Sequence, residues 1–137
     1  MIYTMTLNPA LDYVMHPLTL DMGFTNRSSN EELHCGGNGI NIATILNELD
    51  TPSIAMGIAA GFTGDYLLRR LQEKGIASNF VFLDRGYTRI NVKLNGIVMT
   101  MVNGMGPKIP EKKVDELLGR MDVVGAGDTL VLTGSIS

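Results

Sequence analysis

A glycine cluster running straight into an amphipathic segment, Cys35-Gly36-Gly37-Asn38-Gly39-Ile40-Asn41-Ile42-Ala43, constrains this chain more than any other stretch. Glycines at these positions allow positive φ and close backbone approach, and a helix that follows points its partially positive N-terminus at the same place. Such a turn either seats a polar or anionic small molecule or merely tightens a connection, and the cluster alone leaves both open. The next fifty residues fix the fold class. Ile40, Ala43, Ile45, Leu46 and Leu49 form the apolar face of a helix with Ile42 at its edge, closed by Asp50-Thr51-Pro52. Residues 53–58 read as a strand. Gly61-Phe62-Thr63-Gly64-Asp65 turns into a second helix with Leu67, Leu68 and Leu71 inward, Arg69, Arg70, Glu73 and Lys74 solvated, and Gly75 as its stop. Residues 79–83 are again a strand. Strand and helix alternating in this way predict right-handed crossovers on a parallel sheet, an α/β fold.

The flanks add detail to that core. Residues 2–7 alternate apolar and polar side chains up to Asn8-Pro9 and read as the first strand. Asp12 is then expected just past its end, where open α/β sheets bind ligands, although an aspartate there also serves as a turn cap. Residues 13–34 look like an excursion from the main sheet, with short strands near 13–15 and 29–34 and a turn at Asp21-Met22-Gly23. Residues 88–94 and 97–102 are expected as a β-hairpin turning on Asn95-Gly96, and its apolar second arm either meets a partner or is an ordinary buried strand. A helix over 110–120 with Val114, Leu117 and Leu118 inward and a strand over 129–133 complete the reading.

Composition removes whole classes of function. The chain has 137 residues, enough for one domain with a core, and 45% of them are hydrophobic. A net charge of −3 with eleven scattered basic residues offers no footprint for nucleic acid. No apolar run is long enough to span a membrane. One cysteine and an N-terminus without a basic or apolar leader point to a reducing, cytoplasmic setting.

Five ordered stretches carry a resemblance. Thr6-Leu7-Asn8-Pro9-Ala10-Leu11-Asp12, Asn26-Arg27, Gly36-Gly37-Asn38-Gly39-Ile40-Asn41-Ile42-Ala43, Thr88-Arg89-Ile90-Asn91-Val92-Lys93 and Leu130-Val131-Leu132-Thr133-Gly134-Ser135-Ile136 resemble the N-terminal part of the PfkB (ribokinase-like) sugar kinases. The 1-phosphofructokinase and tagatose-6-phosphate kinase branch is the nearest in pattern. The resemblance implies a parallel α/β core with a small β-sheet lid, formed by segments of about 13–34 and 87–103 inserted in a single partial domain over 1–137. It also implies transfer of the ATP γ-phosphoryl group to a ketose phosphate with Mg2+, and a homodimer through the lid hairpin.

Residue by residue, the resemblance implies that Asp12 accepts hydrogen bonds from sugar hydroxyls while Gly36, Gly37 and Asn41 bind the sugar from the other side. Arg89, and Arg27 with it, would hold the phosphate, and Ser135 would sit beside the sugar. Where the family's glycine motif usually carries lysine, this chain has Asn38. Gly125-Ala126-Gly127-Asp128 matches the letters of the family's catalytic signature, but it precedes a strand rather than a helix and is read as a loop. No catalytic base is therefore assigned. The expectation is the sugar-binding and lid half of a 1-phosphofructokinase-like kinase, inactive alone and not binding ATP by itself. Tagatose-6-phosphate specificity, or a non-catalytic sugar-phosphate-binding or dimerisation role, stands as the alternative.

Overall fold

The computed structural model describes residues 1–134, and in them the chain builds two four-stranded sheets and three α-helices. The core sheet contains β1 (Ile2–Thr6), β4 (Ser53–Ala60), β5 (Ala77–Leu83) and β8 (Thr129–Thr133), ordered β5-β4-β1-β8 and parallel throughout. The lid sheet contains β2 (Ala10–Pro17), β3 (Ser28–Gly36), β6 (Arg89–Asn95) and β7 (Met99–Asn103), ordered β3-β2-β6-β7. Helices α1 (Asn38–Glu48) and α2 (Gly61–Glu73) supply the expected crossovers, and α3 (Glu111–Arg120) leads back towards β8.

Side-chain alternation along β4 explains the layering. Ala55 and Ala59 face one side and pack with Ile40 and Ala43 of α1 and Leu67 and Leu71 of α2. Met56, Ile58 and Ala60 face the other, where they meet Tyr3, Met5, Val81 and Leu117 of α3. Small residues on the α1/α2 side let those helices approach closely. Burying Leu67 and Leu71 contributes roughly 1.5–3 kcal/mol each.

Three expectations change. The strand expected near 13–15 begins at Ala10, so Asp12 lies inside β2, paired with Asn91 of β6, rather than in a turn. The bend is completed within three residues, Leu7-Asn8-Pro9, and the chain enters the lid at once. The hairpin does not turn on a two-residue Asn95-Gly96 pair: Asn95 is in register with Met99, so the loop is Gly96-Ile97-Val98. A two-residue turn of that type needs positive φ at both central residues, and neither adopts it. Gly96 instead permits a close approach, since a Cβ there would lie 3.3 Å from the Pro17 carbonyl oxygen. Finally, the helices are less enclosed than their periodicity predicts. Ile45 and Leu49 of α1 and Leu118 of α3 are exposed, Val114 is at the margin, and Leu132 on the edge strand β8 is 67% exposed.

The lid is pinned to the core at Thr88. Its N–H donates to the Ala60 carbonyl at 2.8 Å, its hydroxyl oxygen accepts from the Ala60 N–H at 3.0 Å, and its carbonyl accepts from the Thr63 hydroxyl at 2.7 Å. Beyond this buried clamp the lid thins. Every residue of β7 is exposed, and Ile97 at the hairpin tip is 94% exposed.

Candidate functional site

From β1 the core sheet grows outward through β4 and β5 on one side, while β8 joins on the other side of β1. Such a reversal opens a crevice at the carboxyl ends of the central strands. A polar cleft of about 320 Å³ occupies that place. Thr6 at the end of β1, Gly37, Asn38 and Asn41 at the start of α1, and Gly134 after β8 line its core side. The lid contributes Asp12, Arg89, Asn91, Lys93 and Asn103.

Local sequence explains the close fit. Gly37 caps α1 with φ +124°, a conformation that side-chain-bearing residues rarely adopt. Gly36 makes room for the carboxylate of Asp12, because a Cβ there would stand 2.8 Å from Oδ2 and 2.9 Å from Cγ.

Asp12 is the centre of the cleft's hydrogen bonding. Asn91 Nδ2 donates to its Oδ1 at 2.8 Å, and Lys93 Nζ donates to its Oδ2 at 2.6 Å. An ionised carboxylate offers about two acceptor positions per oxygen, so one remains open on each. Two adjacent hydroxyls fit that arrangement. Arg89 is anchored at the hinge, with Nε donating to the Asn8 carbonyl at 3.2 Å and Nη1 to the Gly104 carbonyl at 3.4 Å, which leaves further guanidinium donors for a ligand. Thr6 Oγ1, Asn8 Oδ1 and Asn91 Oδ1 are buried and have no hydrogen-bond partner among the described residues.

The expected residues divide cleanly. Asp12, Gly36, Gly37, Asn41 and Arg89 come together at the cleft or against it. Arg27 does not: Ser28 pairs with Pro17 at the far end of the lid, about 30 Å of strand from Gly36. Ser135 lies outside the described residues, which reach Gly134 at the cleft wall. Asn91, Lys93 and Asn103 were missed as site residues. The alternation of Arg89, Asn91 and Lys93 on one face of a strand was the available signal, but only the parallel pairing of β2 with β6 reveals Asp12 opposite them.

Asp128 belongs elsewhere. Its Oδ1 accepts from the N-terminal ammonium of Met1 at 2.6 Å and its Oδ2 from the Gly125 N–H at 3.0 Å. This turn sits where β8 begins, about 20 Å of strand from the cleft at its other end. The bond from the ammonium, and then that from Gly125, holds its carboxyl below the usual carboxylate range. Cys35, beside the glycines, has its thiol pushed up by burial and packs toward the Leu67 carbonyl, a structural rather than nucleophilic placement. A second cleft of about 400 Å³, bordered by Tyr87, Ile90, Met105 and Pro107 behind the hinge, is more apolar and lacks a comparable convergence of polar groups.

Known proteins match this architecture throughout the chain. A 1-phosphofructokinase of Bacillus subtilis (strain 168) is 40% identical over 136 residues, which are 99% of this chain and 45% of that protein. A D-tagatose-1-phosphate kinase of Bacillus licheniformis is 32% identical, over 99% of this chain and 44% of that protein. The crystal structure of phosphofructokinase-2 from Escherichia coli in complex with substrates and products superimposes with a TM-score of 0.92 at 25% identity, over 98% of this chain and 45% of that one. The chain thus spans less than half the length of the relatives it matches. Residues 5–103 match the family described as pfkB family carbohydrate kinase, and the chain belongs to that family.

Proposed function

We propose that this chain is the sugar-phosphate-binding and lid half of a 1-phosphofructokinase-like enzyme, which phosphorylates fructose 1-phosphate to fructose 1,6-bisphosphate when complete. The observation that carries the reading is Asp12, held by Asn91 and Lys93 with one acceptor position open on each oxygen, in a cleft shared with Arg89. A carboxylate so fixed orients vicinal hydroxyls, and the guanidinium is suited to a phosphate. Gly36, Gly37 and Asn41 seat the sugar from the α1 side, beneath the helix N-terminus.

ATP and Mg2+ belong to this proposal as co-substrate and metal of the complete enzyme. Among the described residues no three His, Cys, Asp or Glu side chains form a metal-ligating group, and the GAGD turn faces the opposite end of the sheet. We infer that the magnesium–ATP site lies outside this stretch of the family's chain. The remaining half of the relatives' length is the source we assign to it. The same half would cover the exposed Ile45, Leu49 and Leu132. The exposed apolar arm Met99-Thr100-Met101-Val102 supports the further reading that two copies pair through their lids.

Calorimetric titration of the chain with fructose 1-phosphate and tagatose 6-phosphate tests the binding reading. Heat with the former and a weaker response to the latter are expected; no heat with either rejects it. A coupled ADP-release assay with ATP and magnesium is expected to stay silent for the chain alone, and robust turnover would overturn the half-enzyme reading.

A further inference from the structure

The face of β6 turned to the cleft carries two cations, and they are held differently. Arg89, Asn91 and Lys93 alternate along one side of the strand, with Asn91 in register with Asp12 and Lys93 with Val14. Arg89 is tied to two backbone carbonyls at the hinge. Lys93 has one hydrogen-bond partner among the described residues, Asp12 Oδ2 at 2.6 Å. An ammonium carries three donors, so two remain uncommitted in a partly buried position on the cleft wall. Charge points the same way: Arg89 and Lys93 against Asp12 leave the cleft one positive charge in excess, and without Lys93 it would be balanced.

We infer that Lys93 is a specificity-determining residue, which makes the Asp12 site select a phosphorylated sugar over the neutral sugar of the same shape. The inference rests on the sugar-phosphate reading above and adds a residue to it. In the occupied site one Lys93 N–H stays on Asp12 while the sugar hydroxyls take the open acceptor positions, and a second N–H donates to a phosphate oxygen. That contact is charge-assisted and is lost when the ligand has no phosphate. Arg89 alone, with part of its guanidinium committed to carbonyls, would discriminate less.

The test titrates this chain and its Lys93→Met and Lys93→Arg variants with fructose 1-phosphate and with fructose. Lys93→Met should weaken fructose 1-phosphate binding about tenfold or more beyond whatever it costs fructose, the scale of one lost hydrogen bond to a charged group, the loss common to both ligands reporting the hold on Asp12. Lys93→Arg should restore most of the preference. Equal weakening of both ligands would overturn the inference, because Lys93 would then act only by positioning Asp12; no weakening of either would overturn it too. If the unsubstituted chain binds neither ligand, the sugar-phosphate reading itself falls and this inference with it. Should Lys93→Met fail to fold, lysine-labelled NMR of the unsubstituted chain decides. The Lys93 Cε signal should move with fructose 1-phosphate and not with fructose, and a signal that ignores the phosphate overturns the inference.

Discussion

Two carboxylate–ammonium pairs, one on the lid facing the carboxyl end of the core sheet and one at that sheet's amino end, sit in different settings. At the carboxyl end, Lys93 meets Asp12 at 2.6 Å; at the amino end, the Met1 ammonium meets Asp128 at 2.6 Å. Distance does not separate them, but surroundings do. Asp12 also accepts from Asn91 on the neighbouring lid strand and lies against Gly36, whereas Asp128 closes an exposed turn with the Gly125 N–H. The first pair lines, from the lid side, the crevice that opens where the order of core strands reverses; the second lies where β8 merely begins beside β1. A carboxylate–ammonium contact therefore marks a site only through the topology around it.

Substitutions can break this comparison. Asp12→Asn should weaken sugar-phosphate binding about a hundredfold, since the carboxylate would orient two hydroxyls, while Asp128→Asn should leave it unchanged in the same calorimetric titration. An equal loss from both would erase the distinction between the two ends. Thr88→Val removes the hydroxyl that accepts from the buried Ala60 N–H, and should cost about 1–3 kcal/mol in urea unfolding. Gly36→Ala places a methyl group against the Asp12 carboxylate and should reduce binding about tenfold, with little change in unfolding. The smallest effect concerns acid. Because the Asp128 carboxyl is lowered in the fold, its stabilising share is present above the ordinary carboxylate value and is lost as pH falls through the depressed one. The melting temperature of the unsubstituted chain should thus fall more steeply below about pH 4 than that of Asp128→Asn.

Much of the core was legible in the sequence because its signals are local. The glycine cluster before Ile40, the Leu67 and Leu71 spacing and the Thr129–Thr133 strand each report on their own neighbourhood. Likewise, placing GAGD before a strand rather than a helix was enough to detach Asp128 from the site. The lid was read less well. Nothing near Asp12 announces that β6, some eighty residues later, will lie parallel to its strand, so Asn91 and Lys93, though part of the Thr88–Lys93 stretch, are not assigned to the site from sequence. Asn95-Gly96 signals a two-residue turn locally, but the glycine answers to the distant Pro17 carbonyl. Ile45 and Leu49 fit an inward face by spacing, although the described residues leave them uncovered.

The place of β1 also bears on how the molecule assembles. It is the first strand in the chain and an inner strand of its sheet, with Ile2 beside Ser53 on one flank and Thr129 on the other. During synthesis it must wait for about fifty residues to gain one neighbour and nearly eighty more to gain the second. The β4–α2–β5 unit, whose partners lie close in sequence, can consolidate meanwhile. The strand end that builds the cleft is accordingly among the last parts to be enclosed, so the ligand site matures only when the sheet does.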